Sequence, residues 1–437
     1  MSDATDGKVV SGRVLGLDAV RGFALLGITL VNMGYFASSS MEGMKLAPAA
    51  GSAWYDILAF YFVSTLCAAK FFPLYSLLFG VGLAIMHQRA VAAGRDWLGM
   101  VIRRLAALAI FGLLHAVLIW NGDILFIYAG FGLLLVPLLG ASARTLTVLG
   151  SVALLVGVLG STLWFTLNHV DELFGAPVYA DHDTPLPAEL AAMSPLQRYW
   201  GAWSFEQGVY SYAAMHSAEL EAYGRGPWSQ ALGVRVSGWS FGLVAAVLAY
   251  GWLVLAQFMF GAALLKAGYF GAQGRAVRGR AARWCFGLGV PMALAAALLP
   301  ALVGGLVGVA LGAGLMTLAG PMLALGWVSV FVSAGERVGP GGALAWVFAA
   351  LARVGKFGLT NYLLMSVLAT GIMYHWGLGL IGSFGPLARC AISVGLFAVI
   401  VLLSWAWARR FEFGPMEWLW RGVTHLRRPG AKLAPGE

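Results

Sequence analysis

The strongest limit on how this chain can fold is a recurrence of long apolar runs. Each is near the ~20 residues that a helix needs to cross the roughly 30 Å hydrocarbon layer of a bilayer. Ten such runs stand at 19–38, 70–91, 101–120, 123–140, 145–168, 237–265, 283–304, 306–332, 356–376 and 387–408. Transmembrane barrels use much shorter, alternating segments, and the sequence carries no such alternation. Composition agrees: of 437 residues, 60% are hydrophobic and 11% charged, against about 25% charged in a soluble domain. The expected fold is all-α, a polytopic transmembrane helical bundle of about ten spans. Only Pro300 and Gly304 mark the boundary between the seventh and eighth spans. The apolar stretch 54–68 is too short to cross and return, and is expected at the interface or as a re-entrant piece.

Lys and Arg collect in alternate loops. One set holds Arg89, Arg95, Arg103 and Arg104, then Arg144, then Lys266 to Arg283, then Arg337, Arg353 and Lys356, then the C-terminal tail. The positive-inside rule places both termini in the cytoplasm. The same loops account for the net charge of +9, so nucleic acid is not an expected partner. The opposite loops are short and nearly uncharged, except 169–236. A structureless loop of that length would be unusual, so local helices are expected around 194–222. The organisation is a five-span first half (1–168), an extracytoplasmic loop (169–236), and a five-span second half (237–437) ending in an interfacial helix. That helix is expected to begin at Pro415 and to be anchored by Trp418 and Trp420. The first apolar run, followed by FASSS, imitates a signal peptide, but the many later spans favour an uncleaved helix. Cys67, Cys285 and Cys390 are scattered through apolar sequence and form no disulfide or zinc pattern.

Polar residues inside spans are candidates for function. Asp18 and Arg21 are three apart and can pair on one helix face. Asn32 follows Arg21 by eleven residues, about three turns and ~16 Å higher on that face. The third span repeats the spacing, with His115 eleven residues after Arg104. An intramembrane histidine can shuttle protons, or can simply be a neutral hydrogen-bonding group between helices. Asp123, directly before an apolar run, suits a helix N-cap. A hairpin turning at 121–122 puts Tyr128 level with His115 and Asp123 some two turns outward. A His115–Asp123 dyad would therefore need a bent helix. Lys70 is expected at the outer edge of the second span, snorkelling. Arg353 and Lys356 stand at an inner edge, with Asn361 one to two turns deeper; they suit phosphates or anionic lipid. No phosphate-cradling Gly loop, HExxH or GxSxG motif is convincing.

The segments RVLGLDAVRGFALLGITLVNM, KFFPLYSLLFGVG, GLLHAVLIWNGDILFIYA, GKFGLTNYLLMS and FGPMEWLWR together resemble the YeiB-like family of bacterial inner-membrane proteins. The C-terminal half of that family is a domain of unknown function (418). The family is similar to the heparan-α-glucosaminide N-acetyltransferases and, more remotely, to the acyltransferase-three superfamily. The resemblance implies a multi-pass protein of the bacterial cytoplasmic membrane that moves an acyl group from cytoplasmic acyl-CoA to an extracytoplasmic or membrane acceptor. The heparan enzymes share the Asp-x-x-Arg-Gly start and the Asn matching Asn32, with their active histidine in the following loop. Here loop 39–53 has no histidine.

On this basis His115, Asn32 and Asp123 are the candidate catalytic residues. Asp18, Arg21, Arg353, Lys356 and Asn361 are the candidates for holding acyl-CoA as donor substrate, and no metal is expected. Expected partners are membrane lipids, acyl-CoA and an unspecified acceptor, with a homodimer as the candidate assembly. The alternatives are a small-molecule transporter or permease, and a non-catalytic membrane binding protein.

Overall fold

The computed structural model describes residues 15–45, 48–49, 51–167, 184–204, 206–338, 342 and 344–426. These residues are mostly helical, with no strand among them. In chain order the helices are α1 (Leu15–Phe36), α2 (Ser40–Gly43), α3 (Trp54–Phe62), α4 (Phe71–Ala92), α5 (Trp97–Leu118), α6 (Leu125–Leu135), α7 (Ala143–Leu167), α8 (Ala188–Ala192), α9 (Pro195–Trp203), α10 (Ser211–Gly224), α11 (Trp228–Ala245), α12 (Gly251–Lys266), α13 (Arg275–Val303), α14 (Gly305–Gly335), α15 (Ala345–Lys356), α16 (Gly358–Met373), α17 (Pro386–Ala408) and α18 (Pro415–His425). Among the described residues, eight helical stretches are long and apolar enough to cross a membrane. The other two expected spans are the shorter helices Leu125–Leu138 and Gly358–Met373. The seventh and eighth spans separate at Gly304 and Gly305, whose φ values of +67° and +52° are open to glycine at little steric cost. The sixth span begins at Trp228 rather than 237, because α11 and α12 run on through a π-turn at Ala246–Tyr250.

Residues 54–68 and Lys70 depart from expectation. Helix α3 continues through a π-turn (Val63–Cys67) to a kink at 68–70, where Ala69 has φ +59°, and α4 carries the same path onward. Asp56, near the start of α3, accepts from the backbone N–H of Leu387 at the start of α17. The ring of Phe71 lies against Gly27, in the middle of α1, and the carbonyl of Ala69 lies against Gly320 of α14. Thus 54–92 is one broken helix that does not need to return, and the break lies midway along the bundle. Lys70 is fully buried and donates to the Ser64 carbonyl (3.0 Å) and the Met316 sulfur (3.2 Å). A helix end leaves carbonyls without partners, and the Lys70 ammonium meets one of them where snorkelling was expected.

Helix α1 is the centre of the bundle, packed against α4, α14, α15, α16 and α17. Its glycines admit this crowding. A Cβ on Gly22 would stand 2.0 Å from the Leu351 carbonyl oxygen of α15, and a Cβ on Gly16 2.5 Å from that of Phe331 in α14. Helix α15 lies beside the N-terminal half of α1. Helices α9 and α10 cover the opposite end, which we call the cap face; the end carrying Leu15 and α18 is the terminal face. Gly22→Ala should lower the apparent Tm of the purified protein through an overpacking cost of about 1–3 kcal/mol. Gly82→Ala, with nothing within 4 Å of the new Cβ, should not lower it. Equal melting of the two variants would contradict this packing.

Candidate functional site

At the terminal face, Asp18 and Arg21 form the expected pair at 2.9 Å, and the Tyr75 hydroxyl donates to the Arg21 carbonyl. The structure adds two further cations. Arg104 of α5 stands 3.5 Å over the Trp420 ring, whose indole N–H donates to the Arg104 carbonyl. The Arg104 Nε has no hydrogen-bond partner, and its guanidinium repels those of Arg21 and Arg421. Arg421 comes from α18 and lies 4.2 Å over Phe413. His425, also in α18, is held below its usual range by burial and then by Arg421, Arg104, Arg95 and Arg103 around it. Helix α18 begins at Pro415 as expected, but Trp420 packs on an arginine. Its Glu417 accepts from the backbone N–H groups of Leu359 and Thr360 and from the Thr360 hydroxyl. The C-terminal motif thereby caps α16 and brings Arg421 to Arg104.

Arg353 and Lys356 lie on α15, whose Gly355 touches the Asp18 backbone. That contact carries both to this end of α1. Asn361 is buried and donates to the Val354 carbonyl and the Ser404 hydroxyl, both at 2.9 Å. These bonds join α15, α16 and α17 and occupy the amide hydrogens that a ligand would use.

The dyad disfavoured by hairpin geometry is present. His115 Nδ1 lies 3.0 Å from Asp123 Oδ1, with both side chains fully buried. Helix α5 ends at Leu118, and the N–H groups of Ile119 and Trp120 both return to the His115 carbonyl. The chain therefore tightens over His115 and brings Asp123 back beside it. Asp123 also accepts from the Phe126 N–H at 2.8 Å, so it caps the next helix end as well. His115 Nε2 is buried without a hydrogen-bond partner. The ring of Tyr362 from α16 lies 5.2 Å away. Asn32 is half-buried on α1.

The cap face holds residues that sequence reasoning missed. The Ser39 hydroxyl lies 2.7 Å from His216 Nδ1. Ser40, through its N–H and its hydroxyl, donates to the two carboxylate oxygens of Glu219. His216 and Glu219 are three apart on α10, one face of a helix, but their partners lie some 180 residues earlier in the chain, and no local pattern joins them. A cleft of about 370 Å³ opens here, lined by Ser38, Glu42, Asp56, His216 and Arg389 among others. No cluster of metal-ligating side chains is found among the described residues. The sequence stretches DELF and DHD of the long loop lie outside the described residues.

Comparison with known proteins gives relatives across the chain. Residues 264–427 match a family described as a protein of unknown function (DUF418). The chain is 30% identical to the uncharacterized protein YeiB of Escherichia coli, over 97% of this chain and 98% of that one. It is 28% identical to the uncharacterized protein YxaH of Bacillus subtilis, over 95% and 94%. A shorter match, 37% identical over 29% of this chain and 34% of the other, is to an uncharacterized 39.9 kDa protein in the amylase 3′ region of Bacillus acidopullulyticus. No solved structure matches.

Burial raises the Glu219 carboxyl to about 7, with the Ser40 hydrogen bonds opposing the rise. The folded chain thus keeps a proton at pH values where the unfolded chain has lost it. The stabilisation is full below the unfolded value of 4.5 and is lost as pH rises through about 7. Wild-type apparent Tm should fall over this window, and Glu219→Gln should flatten the profile. Parallel profiles for the two proteins would contradict the assignment.

Proposed function

This chain belongs to the YeiB-like family of membrane proteins, and we propose that it is an acyltransferase that takes an acyl group from acyl-CoA at the terminal face and transfers it to an acceptor admitted from the cap face. The observation that carries this proposal is the buried His115–Asp123 pair with His115 Nε2 left without a partner. When Nδ1–H donates to a carboxylate, Nε2 keeps its lone pair and the ring is held in place. That nitrogen is then a base able to take a proton from an acceptor hydroxyl or amine.

The acceptor attacks the thioester carbonyl, the carbon–sulfur bond breaks, and the thiolate leaves. His115 takes the acceptor's proton and returns it to the thiolate. The Asn32 amide donates to the oxyanion that develops on the carbonyl oxygen. Arg21, Arg104 and Arg421, with Arg353 and Lys356 nearby, supply charge-assisted donors for the phosphates of the donor. Asp18 orients Arg21. By the Lys and Arg distribution, the terminal face is cytoplasmic, in the inner membrane of a bacterium.

The broken α3–α4 helix favours a second reading, a small-solute transporter, because broken helices line transport sites in many carriers. Such breaks usually come in matching pairs. The π-turn in α11–α12 leaves that helix continuous. Solute uptake by proteoliposomes without acyl-CoA would favour transport.

The acyltransferase proposal is tested by CoA release from acetyl-CoA by the purified protein. His115→Ala should lower turnover by about 10²–10⁴-fold. Because it also strips the buried Asp123 of its imidazole partner, it should lower the apparent Tm, so turnover is compared at a temperature where the variant is folded. Arg21→Ala should act mainly by raising KM. Undiminished turnover in His115→Ala would remove the dyad from the mechanism.

A further inference from the structure

Arg235 of α11 is fully buried, yet its guanidinium is poorly satisfied. Nη1 donates to the Val117 carbonyl at 2.8 Å. Nε and Nη2 have no hydrogen-bond partner. The Tyr223 hydroxyl is a polar neighbour, but it lies outside good hydrogen-bond geometry and carries no charge. Glu219 faces the same tyrosine, but its two oxygens accept from Ser40. No carboxylate offsets the Arg235 charge among the described residues. A buried charge in this condition is costly unless an opposite charge meets it.

The rings around Arg235 do not take that role. Trp228 and Trp376 each stand 5.0 Å from the guanidinium carbon and Tyr223 stands 5.9 Å from it. Arg104, by contrast, lies on Trp420 at 3.5 Å. Ring faces attract the cation but leave the N–H groups without acceptors.

The two open nitrogens define the missing partner. Nε and Nη2 share one edge of the planar guanidinium, the fork that holds a carboxylate by two parallel hydrogen bonds. The bond to Val117 fixes the plane of that fork. A single positive charge between aromatic walls suits a monoanion with an apolar body. It disfavours a strongly hydrated dianion, whose lost water it cannot replace. The cover is thin on one side. Trp228 is the first residue of α11, is 43% exposed and meets Trp376 edge-on at 5.1 Å.

We propose that Arg235 binds the carboxylate of a small apolar solute, which enters when the Trp228 indole swings outward. Val117 follows His115 by two residues at the end of α5, so this site lies on the cap-face side of the dyad. The acyltransferase reading is needed only to call the occupant an acceptor.

The test uses purified full-length protein without acyl-CoA. Phenylglyoxal modifies arginines, and mass spectrometry reads the rate at Arg235, with the exposed Arg410 as internal reference. Benzoate is the carboxylate probe, benzamide its neutral counterpart, and sulfate at equal ionic strength the dianion. Benzoate should slow modification of Arg235 saturably and leave Arg410 unchanged; benzamide and sulfate should do neither. Trp228→Ala should speed modification of Arg235 several-fold. Benzoate should also raise the apparent Tm of the wild type, as a ligand of the folded state does. Arg235→Met should lose that rise, and removing an uncompensated buried charge for a similar apolar volume is compatible with folding. Arg235 left unmodified in both the wild type and Trp228→Ala would overturn the proposal. So would absence of benzoate protection, equal protection by benzamide or sulfate, or a Tm rise that persists in Arg235→Met. Undiminished turnover in His115→Ala would remove the dyad from the mechanism and leave this assignment standing.

Discussion

Close approach of backbones to α1 is the contact on which the rest of this bundle depends. In lipid there is no hydrophobic force between helices, and association relies on packing at small residues and on hydrogen bonds. Gly16, Gly22 and Gly27 let α14, α15 and Phe71 reach the backbone of α1 at distances a side chain would forbid. That crowding buries Asp18 at one end of α1, while α10 covers Ser39 just beyond the other. It also fixes the α3–α4 break midway along the bundle. The three polar centres of the molecule are the arginines at the terminal face, the buried dyad between the end of α5 and the start of α6, and the cleft at the cap face.

The energetic logic differs between these centres. The His115–Asp123 pair is fully enclosed, and a group removed from water is costly unless hydrogen-bonded. Asp123 meets this demand twice, through the imidazole and through the Phe126 N–H. Arg104 does not meet it with a carboxylate; its flat guanidinium rests on an indole beside two other arginines. Like charges held together favour an anion beside them, and Asp18 is one for Arg21. Helix α18 enforces the arrangement by anchoring Glu417 on α16, so the tail motif has a defined structural task.

Much of this was legible in the sequence. The apolar runs marked every long helix, and the three-residue spacing of Asp18 and Arg21 gave their contact. Proline and glycine located the α13–α14 break and the start of α18. What escaped was set by departures from regular helix. The 54–92 stretch looked like a short piece plus a span, because an extended run with a π-turn and one positive-φ residue has no periodic signature. The dyad looked too far apart because straight-helix arithmetic places Asp123 outward, whereas residues 119–123 fold back on His115. The pairing of Ser39 and Ser40 with His216 and Glu219 joins the end of the first span to a helix in the long loop, and Arg421 reaches Arg104 across more than three hundred residues of chain. Only tertiary packing makes such contacts. Asn361 is a further case: its place in a span could be read from the sequence, but only packing shows that its amide joins three helices.

The central claim is that one donor molecule spans from the arginines to the dyad. The most direct measurement is an experimental density map of the protein saturated with a non-hydrolysable thioether analogue of acetyl-CoA. Phosphate density is expected among Arg21, Arg104 and Arg421, with the acyl end beside His115 Nε2. Bound analogue that leaves both the arginines and His115 untouched would contradict it.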